Sequence, residues 1–209
     1  MDSFCPLKTI EKYYDQTAWI YDLRLFITEK LILKKLRKKL LAKVTGKTLE
    51  IATGTGVNFQ YYPQDLDLTA IDMSTNMIKV AYEKSKKLHL KVDIQKMDAE
   101  NLNFPDDTFD TVVSTLTLCS FPNPLRALQE IKRVCKPNGK MLFLEHGLSN
   151  KSWVRAIQKL RAKKHFEKYQ CHTTREYLKL FDEAEFLSAD FERRFLGIIY
   201  IITTTKNPT

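Results

Sequence analysis

The stretch Leu49-Glu50-Ile51-Ala52-Thr53-Gly54-Thr55-Gly56 passes from an apolar run into a turn holding two glycines, and a helical pattern follows it. This is the form of a first strand in a doubly wound sheet, whose ligands bind at the carboxyl ends of the strands. Glycine suits such a turn because a side chain would collide with a closely approaching ligand and because the turn can require positive φ. The phosphate-binding form G-x-G-x-x-G needs a third glycine where Phe59 stands. The turn therefore points to a ligand without a pyrophosphate.

Outward from this turn, strand and helix patterns alternate from Lys47 to Glu145, as a parallel sheet with right-handed crossovers requires. The strand candidates are Thr48 to Ile51, Leu68 to Ile71, Lys91 to Met97, Thr111 to Thr115 and Lys140 to Leu144. Asn123 reads as an N-cap with Pro124 at the first helical position, and Leu125, Leu128, Ile131 and Val134 mark the buried stripe of that helix. The turn Pro137-Asn138-Gly139 is expected to stop it and feed the next strand. Upstream, Ile20, Leu23, Ile27, Leu31 and Leu36 recur at helical spacings and predict an N-terminal helical lid. Downstream, a basic helix is expected through Lys168, and Thr173 with Glu176 three residues later reads as a capping box opening another. The β-branched run Gly197 to Thr205 predicts an antiparallel closing strand. The expected fold class is α/β, a Rossmann-like doubly wound sheet, mostly parallel with an antiparallel C-terminal strand. One domain should span 1–209: a helical lid at 1–45, a cofactor-binding core at 46–147, and substrate-side helices and closing strands at 148–209.

With 209 residues, 44% hydrophobic and 28% charged, the chain has the make-up of a globular protein. Met1 to Thr9 lacks the pattern of a signal peptide, no apolar stretch reaches spanning length, and the expected location is the cytoplasm. Cys5, Cys119, Cys135 and Cys171 are scattered without metal-ligand spacing and read as reduced thiols, with no metal expected. A net charge of +9 suits an anionic membrane surface or another polyanion, although lysines on solvated helix faces account for it as well. The sequence is silent on oligomeric state.

Two acidic positions follow the glycine turn. Asp72, at the end of the second strand, stands where a carboxylate can accept from two ribose hydroxyls. Asp98-Ala99-Glu100, at the end of the third, could accept from an adenine amino group or cap the following turn.

The pattern E-x-G-x-G-x-G with Ala52 at the first glycine position, then Asp72, then MDAENLNFPDDTFDTVVSTLTL and PNGKMLFLEHG, resembles the class I S-adenosylmethionine-dependent methyltransferases of the type 11 group over about Thr48 to Gly147. The resemblance implies S-adenosylmethionine as cofactor. It assigns Gly54 and Gly56 to the methionine side, Asp72 to the ribose, Asp98 and Ala99 to the adenine and Thr115 to the end of the fourth strand, and it counts Glu50, Ala52, Thr53 and Met73 among the cofactor-binding residues. YYDQTAWIYD is similar to the tyrosine-aspartate repeat of quinone and phospholipid methyltransferases, which implies that Tyr14 and Tyr21 close the cofactor pocket. The same tyrosines can simply pack the lid.

Methyl transfer is an in-line displacement, so the enzyme mainly aligns two reactants and excludes water. The chain has TLTL after the fourth strand, where base methylating enzymes carry Asn/Asp-Pro-Pro-Tyr/Phe, so nucleic acid is not the expected partner. NFQYYP, TLTLCSFPNPLRALQEIKRVCKPNGKMLFLEHG and CHTTRE look most like the thiol methyltransferases of the methyltransferase-like 7 group, with quinone and phospholipid methyltransferases as broader relatives. The expected acceptor is a small lipophilic molecule: a thiol first, a phosphatidylethanolamine amine or quinone ring second. A non-catalytic cofactor-binding module that engages nucleic acid or membrane is the reading of another class. Glu145 and His146, closing the fifth strand, are the expected catalytic residues. Cys171-His172 reads as packing under the next helix.

Overall fold

The computed structural model describes residues 7–186 and 188–206, and Cys5 lies outside them. Along the chain run α1 (Leu7–Thr28), a π turn (Glu29–Leu33), α2 (Lys34–Leu41), β1 (Thr48–Ile51), a 3₁₀ turn (Val57–Tyr61), β2 (Leu68–Asp72), α3 (Thr75–Leu88), β3 (Asp93–Lys96) and β4 (Phe109–Thr115). Then follow α4 (Pro124–Val134), β5 (Cys135–His146), α5 (Ser152–Tyr169), α6 (Tyr177–Glu183), β6 (Asp190–Arg194) and β7 (Ile199–Thr205).

The seven strands form one sheet in the order β3-β2-β1-β4-β5-β7-β6. Strands β1 to β5 pair in parallel, while β7 runs antiparallel to β5 and β6 antiparallel to β7. The expected Rossmann-like sheet with an antiparallel end is therefore present, and the closing strand brings a hairpin partner, β6. Chain order reverses between β1 and β4, and a doubly wound sheet opens its ligand crevice at such a reversal.

Successive side chains of a strand point to opposite faces, so a strand covered on both sides reads as an unbroken apolar run. Val112 and Val113 divide in this way, as do Leu142 and Phe143. One layer of core joins Leu49, Ile51, Val112 and Phe143 to Leu128 and Ile131 of α4 and Phe181 of α6. The other joins Ala70, Val113, Leu142 and Ile201 to Leu40 and Leu41 of α2 and Ala81 of α3.

Four sequence expectations change. Helix α4 starts as expected, with the Asn123 side chain accepting from the Arg126 N–H and Pro124 in its first turn. It stops at Val134, ahead of Pro137-Asn138-Gly139, which lies inside β5 as an irregularity where the β4 pairing shifts register. There the Asn138 N–H donates to Lys206 O at 2.9 Å, so the residue that follows β7 holds the kink. Thr173 does not cap α6, whose N-cap is Glu176 without a side-chain cap. The backbone of 172–175 is drawn into other pairings, the His172 N–H to Cys119 O and the Leu148 N–H to Arg175 O, both at 2.9 Å. Leu125 is only half-buried on α4, where Ala127 lines the core. Finally, Leu23, Ile27 and Leu31 face solvent, at 77%, 69% and 72% exposure, while Ile10, Ala18 and Leu33 make the contacts inward.

Candidate active site

Three residues of the turn after β1 take left-handed backbone: Ala52 at φ +48°, Gly54 at +58° and Gly56 at +71°. The two glycines serve different ends. A Cβ on Gly56 would stand 2.7 Å from the Phe59 ring, whereas one on Gly54 would meet nothing within 4 Å. Phe59 thus fills the place of a third glycine and is itself buried, and Gly54 leaves bare backbone facing open space.

Asp72 anchors the turn. Its Oδ2 accepts from the Gly54 N–H and its Oδ1 from the Ser74 N–H, both at 2.8 Å. The Ser74 hydroxyl in turn accepts from the Met77 N–H and caps α3. Burial pushes the Asp72 carboxyl up to about 6, against the pull of the Ser74 and Gly54 amides. A carboxylate has about four acceptor positions, so Asp72 keeps capacity for a ligand.

A cleft lies at the carboxyl ends of β1, β2 and β4, with about 710 Å³ of space between its walls when the solvent at its mouth is counted. Of the sequence-predicted residues, Ala52, Thr53, Gly54, Asp72, Met73, Thr115, Tyr14 and Tyr21 line it. Glu50, Gly56, Asp98 and Ala99 lie outside that lining. Glu50 is buried beneath the turn, Ala99 packs in the core, and the Asp98 carboxylate accepts from the Glu100 N–H at 2.9 Å.

Helix α1 closes the cleft through polar contacts at both ends of its tyrosine-aspartate repeat. Asp15 accepts from the Ser74 hydroxyl at 2.5 Å and the Asn76 N–H at 3.0 Å. Asp22 accepts from the Thr55 hydroxyl at 2.6 Å and pairs with Lys84 at 2.7 Å. Tyr14 and Ser120 share a 2.6 Å hydroxyl bond across the mouth. The aspartates of the repeat clamp the lid to the turns after β1 and β2.

Arg37 was not singled out by the sequence, because it sits in a run of lysines. It is buried at 4% exposure, and its Nη1 donates to Asn58 Oδ1 at 2.8 Å and Thr115 Oγ1 at 2.7 Å. Its Nε pairs with Glu29 of the π turn at 3.1 Å. Asn58 donates onward to Glu50 Oε1 at 2.8 Å. Burial raises the Glu50 carboxyl to about 7, against the bond from Asn58 and the charge of Arg37. One connected network therefore joins α2, the 3₁₀ turn and the ends of β1 and β4: Arg37, Asn58 and Thr115 line the cleft, with Glu50 behind them.

Glu145 and His146 also stand behind the cleft wall. Glu145 is fully buried, and its Oε1 accepts from the Thr117 and Leu118 N–H groups at 3.0 and 3.2 Å. These bonds hold the turn that carries Leu116 and Thr117 into the cleft. Burial raises its carboxyl to about 7. His146 Nε2 lies 3.0 Å from Cys171 Sγ, and Cys119 Sγ completes a trio within 4.8 Å of one another. Burial opposes charge on His146, yet the Cys119 thiol and the Glu145 carboxyl carry its pKa upward. Cys119 is drawn well below the usual thiol range by the hydrogen bond from Cys171 and by His146. Two of the four cysteines scattered along the sequence, Cys119 and Cys171, are thus brought into one cluster with His146.

The cleft's chemistry fits a nucleoside-bearing cofactor without phosphates: a bare glycine turn, a buried acceptor carboxylate beside it, and no third glycine. A methyltransferase-domain family model matches residues 49–143. The chain is 35% identical over 120 residues to a phosphatidylethanolamine N-methyltransferase of Cereibacter sphaeroides, covering 56% of this chain and 59% of that one. It is 30% identical over 172 residues to the thiol S-methyltransferase TMT1B of Homo sapiens, covering 76% of this chain and 70% of that one. Several curated relatives are matched over about half to three-fifths of their length. A solved S-adenosylmethionine-dependent methyltransferase of Thermotoga maritima has the same fold, with a TM-score of 0.71 at 21% identity over 95% of this chain and all of that one.

Proposed function

The chain belongs to the methyltransferase-domain family of S-adenosylmethionine-dependent enzymes, and on that footing we propose that it methylates a small lipophilic acceptor, with a thiol as the first choice. The observation that carries the reading is Asp72 holding the bare Gly54 turn at the head of a lidded cleft.

When bound, S-adenosylmethionine supplies a methyl group whose carbon is made electrophilic by the sulfonium sulfur that leaves as a thioether. The chain's part is placement. Asp72 would take the ribose hydroxyls, and the Ala52, Thr53 and Gly54 backbone would pass beside the methionine portion. Met73 would flank the sugar, Thr115 the end of β4, and Tyr14 and Tyr21 would close the pocket from above. Asp98 and Ala99, just past β3, would meet the adenine only with a change in the turn that holds them. Holding two reactants in line and excluding water supplies most of what such a displacement needs.

The thiol preference rests on acid-base chemistry. Among the described residues at the inner end of the cleft, Glu145 is taken up by two backbone amides, and His146 sits behind the wall with two thiols. Neither is laid out as a base for a carbon or hydroxyl acceptor. A thiol, with a pKa of roughly 8.5, reaches its anion without one. Glu145 then acts as a positioning residue for the 116–118 turn, and His146 as a group that tunes the cysteines.

A membrane-bound amine acceptor has its own support. Trp19, Leu23, Ile27 and Leu31 form an exposed stripe on α1 and the π turn, and Trp153, Ile157 and Leu160 form another on α5. The α5 stripe lies among Arg155, Lys159 and Arg161, the pattern of a helix that rests on an anionic surface, and the α1 stripe leads into the lysines of α2. Among the described residues no helix is long and apolar enough to cross a membrane.

The test is calorimetric titration with S-adenosylmethionine and its demethylated product, followed by turnover on small thiols beside phosphatidylethanolamine vesicles. Binding of neither cofactor form overturns the methyltransferase reading. Turnover on vesicles alone moves the acceptor from thiol to lipid amine.

A further inference from the structure

Three segments distant in sequence deliver the thiol and imidazole cluster. Cys119 follows the turn after β4, His146 is the last residue of β5, and Cys171 lies just beyond α5. One backbone bond and one side-chain bond hold the segments: the His172 N–H donates to Cys119 O at 2.9 Å, and the Tyr177 hydroxyl donates to His146 O at 3.1 Å. Both cysteines are buried and His146 is half-buried.

We propose that Cys119, His146 and Cys171 form a zinc site with three protein ligands and an open fourth position. Two thiolates and one imidazole are the soft and borderline donors that select zinc over calcium or magnesium, and a Cys₂His set with a vacant position is an established form of reactive zinc centre. Zinc bonds of about 2.3 Å to sulfur and about 2.0 Å to nitrogen place tetrahedral donors roughly 3.5 Å apart. The three donor atoms already lie within 4.8 Å of one another, with Cys171 Sγ 3.0 Å from His146 Nε2. Ser120, next after Cys119, lines the cleft, whereas Cys119, His146 and Cys171 do not, so the cluster lies behind the cleft wall. The metal assignment itself stands on the side chains and is independent of the methyl-transfer reading.

The experiment reads metal, not turnover. The full chain, reduced and stripped with a chelator, is titrated with zinc against a chromophoric competitor, and with cobalt(II) as a spectroscopic substitute. The expected result is one equivalent bound, with a thiolate-to-cobalt charge-transfer band. Cys119→Ser and Cys171→Ser should each weaken zinc binding at least about 100-fold and diminish the band. Absence of stoichiometric binding by the reduced wild-type chain overturns the proposal, as does a cobalt spectrum without the thiolate band. A Cys119–Cys171 disulfide in the freshly isolated protein, with no zinc taken up after reduction, also overturns it and makes the pair a redox couple. The wild-type spectrum decides the matter even where a serine variant fails to fold.

Discussion

Asp22 on the lid and Thr55 on the glycine turn are joined by a 2.6 Å hydrogen bond, and Lys84 of α3 pairs with the same carboxylate at 2.7 Å. The lid is therefore fastened to the turn it covers, so lid closure and turn geometry are one equilibrium. Asp22→Ala removes about 1 kcal/mol from the closed state, and binding to a less populated closed state is weakened in proportion. The expected outcome is cofactor-product affinity reduced by up to about fivefold with thermal stability nearly unchanged. Titration calorimetry measures the first and a melting curve the second. Unchanged affinity would mean that the lid does not gate the cleft.

Ala52 occupies left-handed backbone at φ +48°, a conformation that costs a residue with a Cβ about 1–2 kcal/mol. Ala52→Gly should relieve part of that and raise stability by about 1 kcal/mol, a melting shift of roughly 2–4 °C for a chain of this size. Gly56→Ala should do the reverse and more, because its Cβ would press into Phe59 at 2.7 Å. Gly54→Ala differs from both: strain of about 1 kcal/mol, with the new methyl in open space, so cofactor affinity falls while the fold persists. Thermal melting with and without cofactor product separates the three.

Glu145 is raised from 4.5 to about 7 by burial, so the folded chain holds a proton there that the unfolded chain releases. The folded state is favoured most below pH 4.5, and this contribution is lost as pH rises through 7. Glu50 adds a change of the same sign over the same range. Glu145→Gln keeps an acceptor for the Thr117 and Leu118 amides without the titration. The variant should therefore show a flatter dependence of melting temperature on pH between 5 and 8, gaining on the wild type at the alkaline end by a few kcal/mol at most. Parallel curves for the two proteins would refute the assignment.

Trp19, Leu23 and Ile27 are exposed on the lid helix. Replacing all three by serine should weaken co-sedimentation with anionic vesicles, leaving what the α5 stripe supplies, and keep the melting temperature within about 1 °C, since such surface changes cost little. Wild-type binding should fall as salt rises. Equal sedimentation of the two proteins would assign the stripe to something other than a membrane.

The central sheet was legible because its strands are buried on both faces and so read as unbroken apolar runs, and because Asn123-Pro124 marks the start of α4 by local chemistry alone. The turn residues and Asp72 were legible for the same reason: strand ends fix their positions. What failed to show were features decided by distant partners. Thr173 and Glu176 have the spacing of a capping box, but Cys119 and Leu148 claim the backbone between them. Arg37 looks like its lysine neighbours until Asn58, Thr115 and Glu29 are placed around it. Strand β6, Asp190–Arg194, carries charge at an edge and has no apolar alternation to announce it. Cys119 and Cys171 are 52 residues apart in sequence and meet only through the ends of β4, β5 and α5.

The π turn Glu29–Leu33 joins α1 to α2 without a break in the helical backbone. A π turn holds one residue more than the α-helical turn it replaces, and one residue of α-helix is about 100° of rotation. Removing a residue from Lys30 to Ile32 would therefore leave a continuous helix and turn everything before it about its own axis. Asp15, Asp22 and Tyr14 would swing together away from Ser74, Thr55 and Ser120, although no residue of the grip itself had changed. The lid's fit is a matter of angular phase, set by the length of a segment that touches neither the glycine turn nor the acceptor.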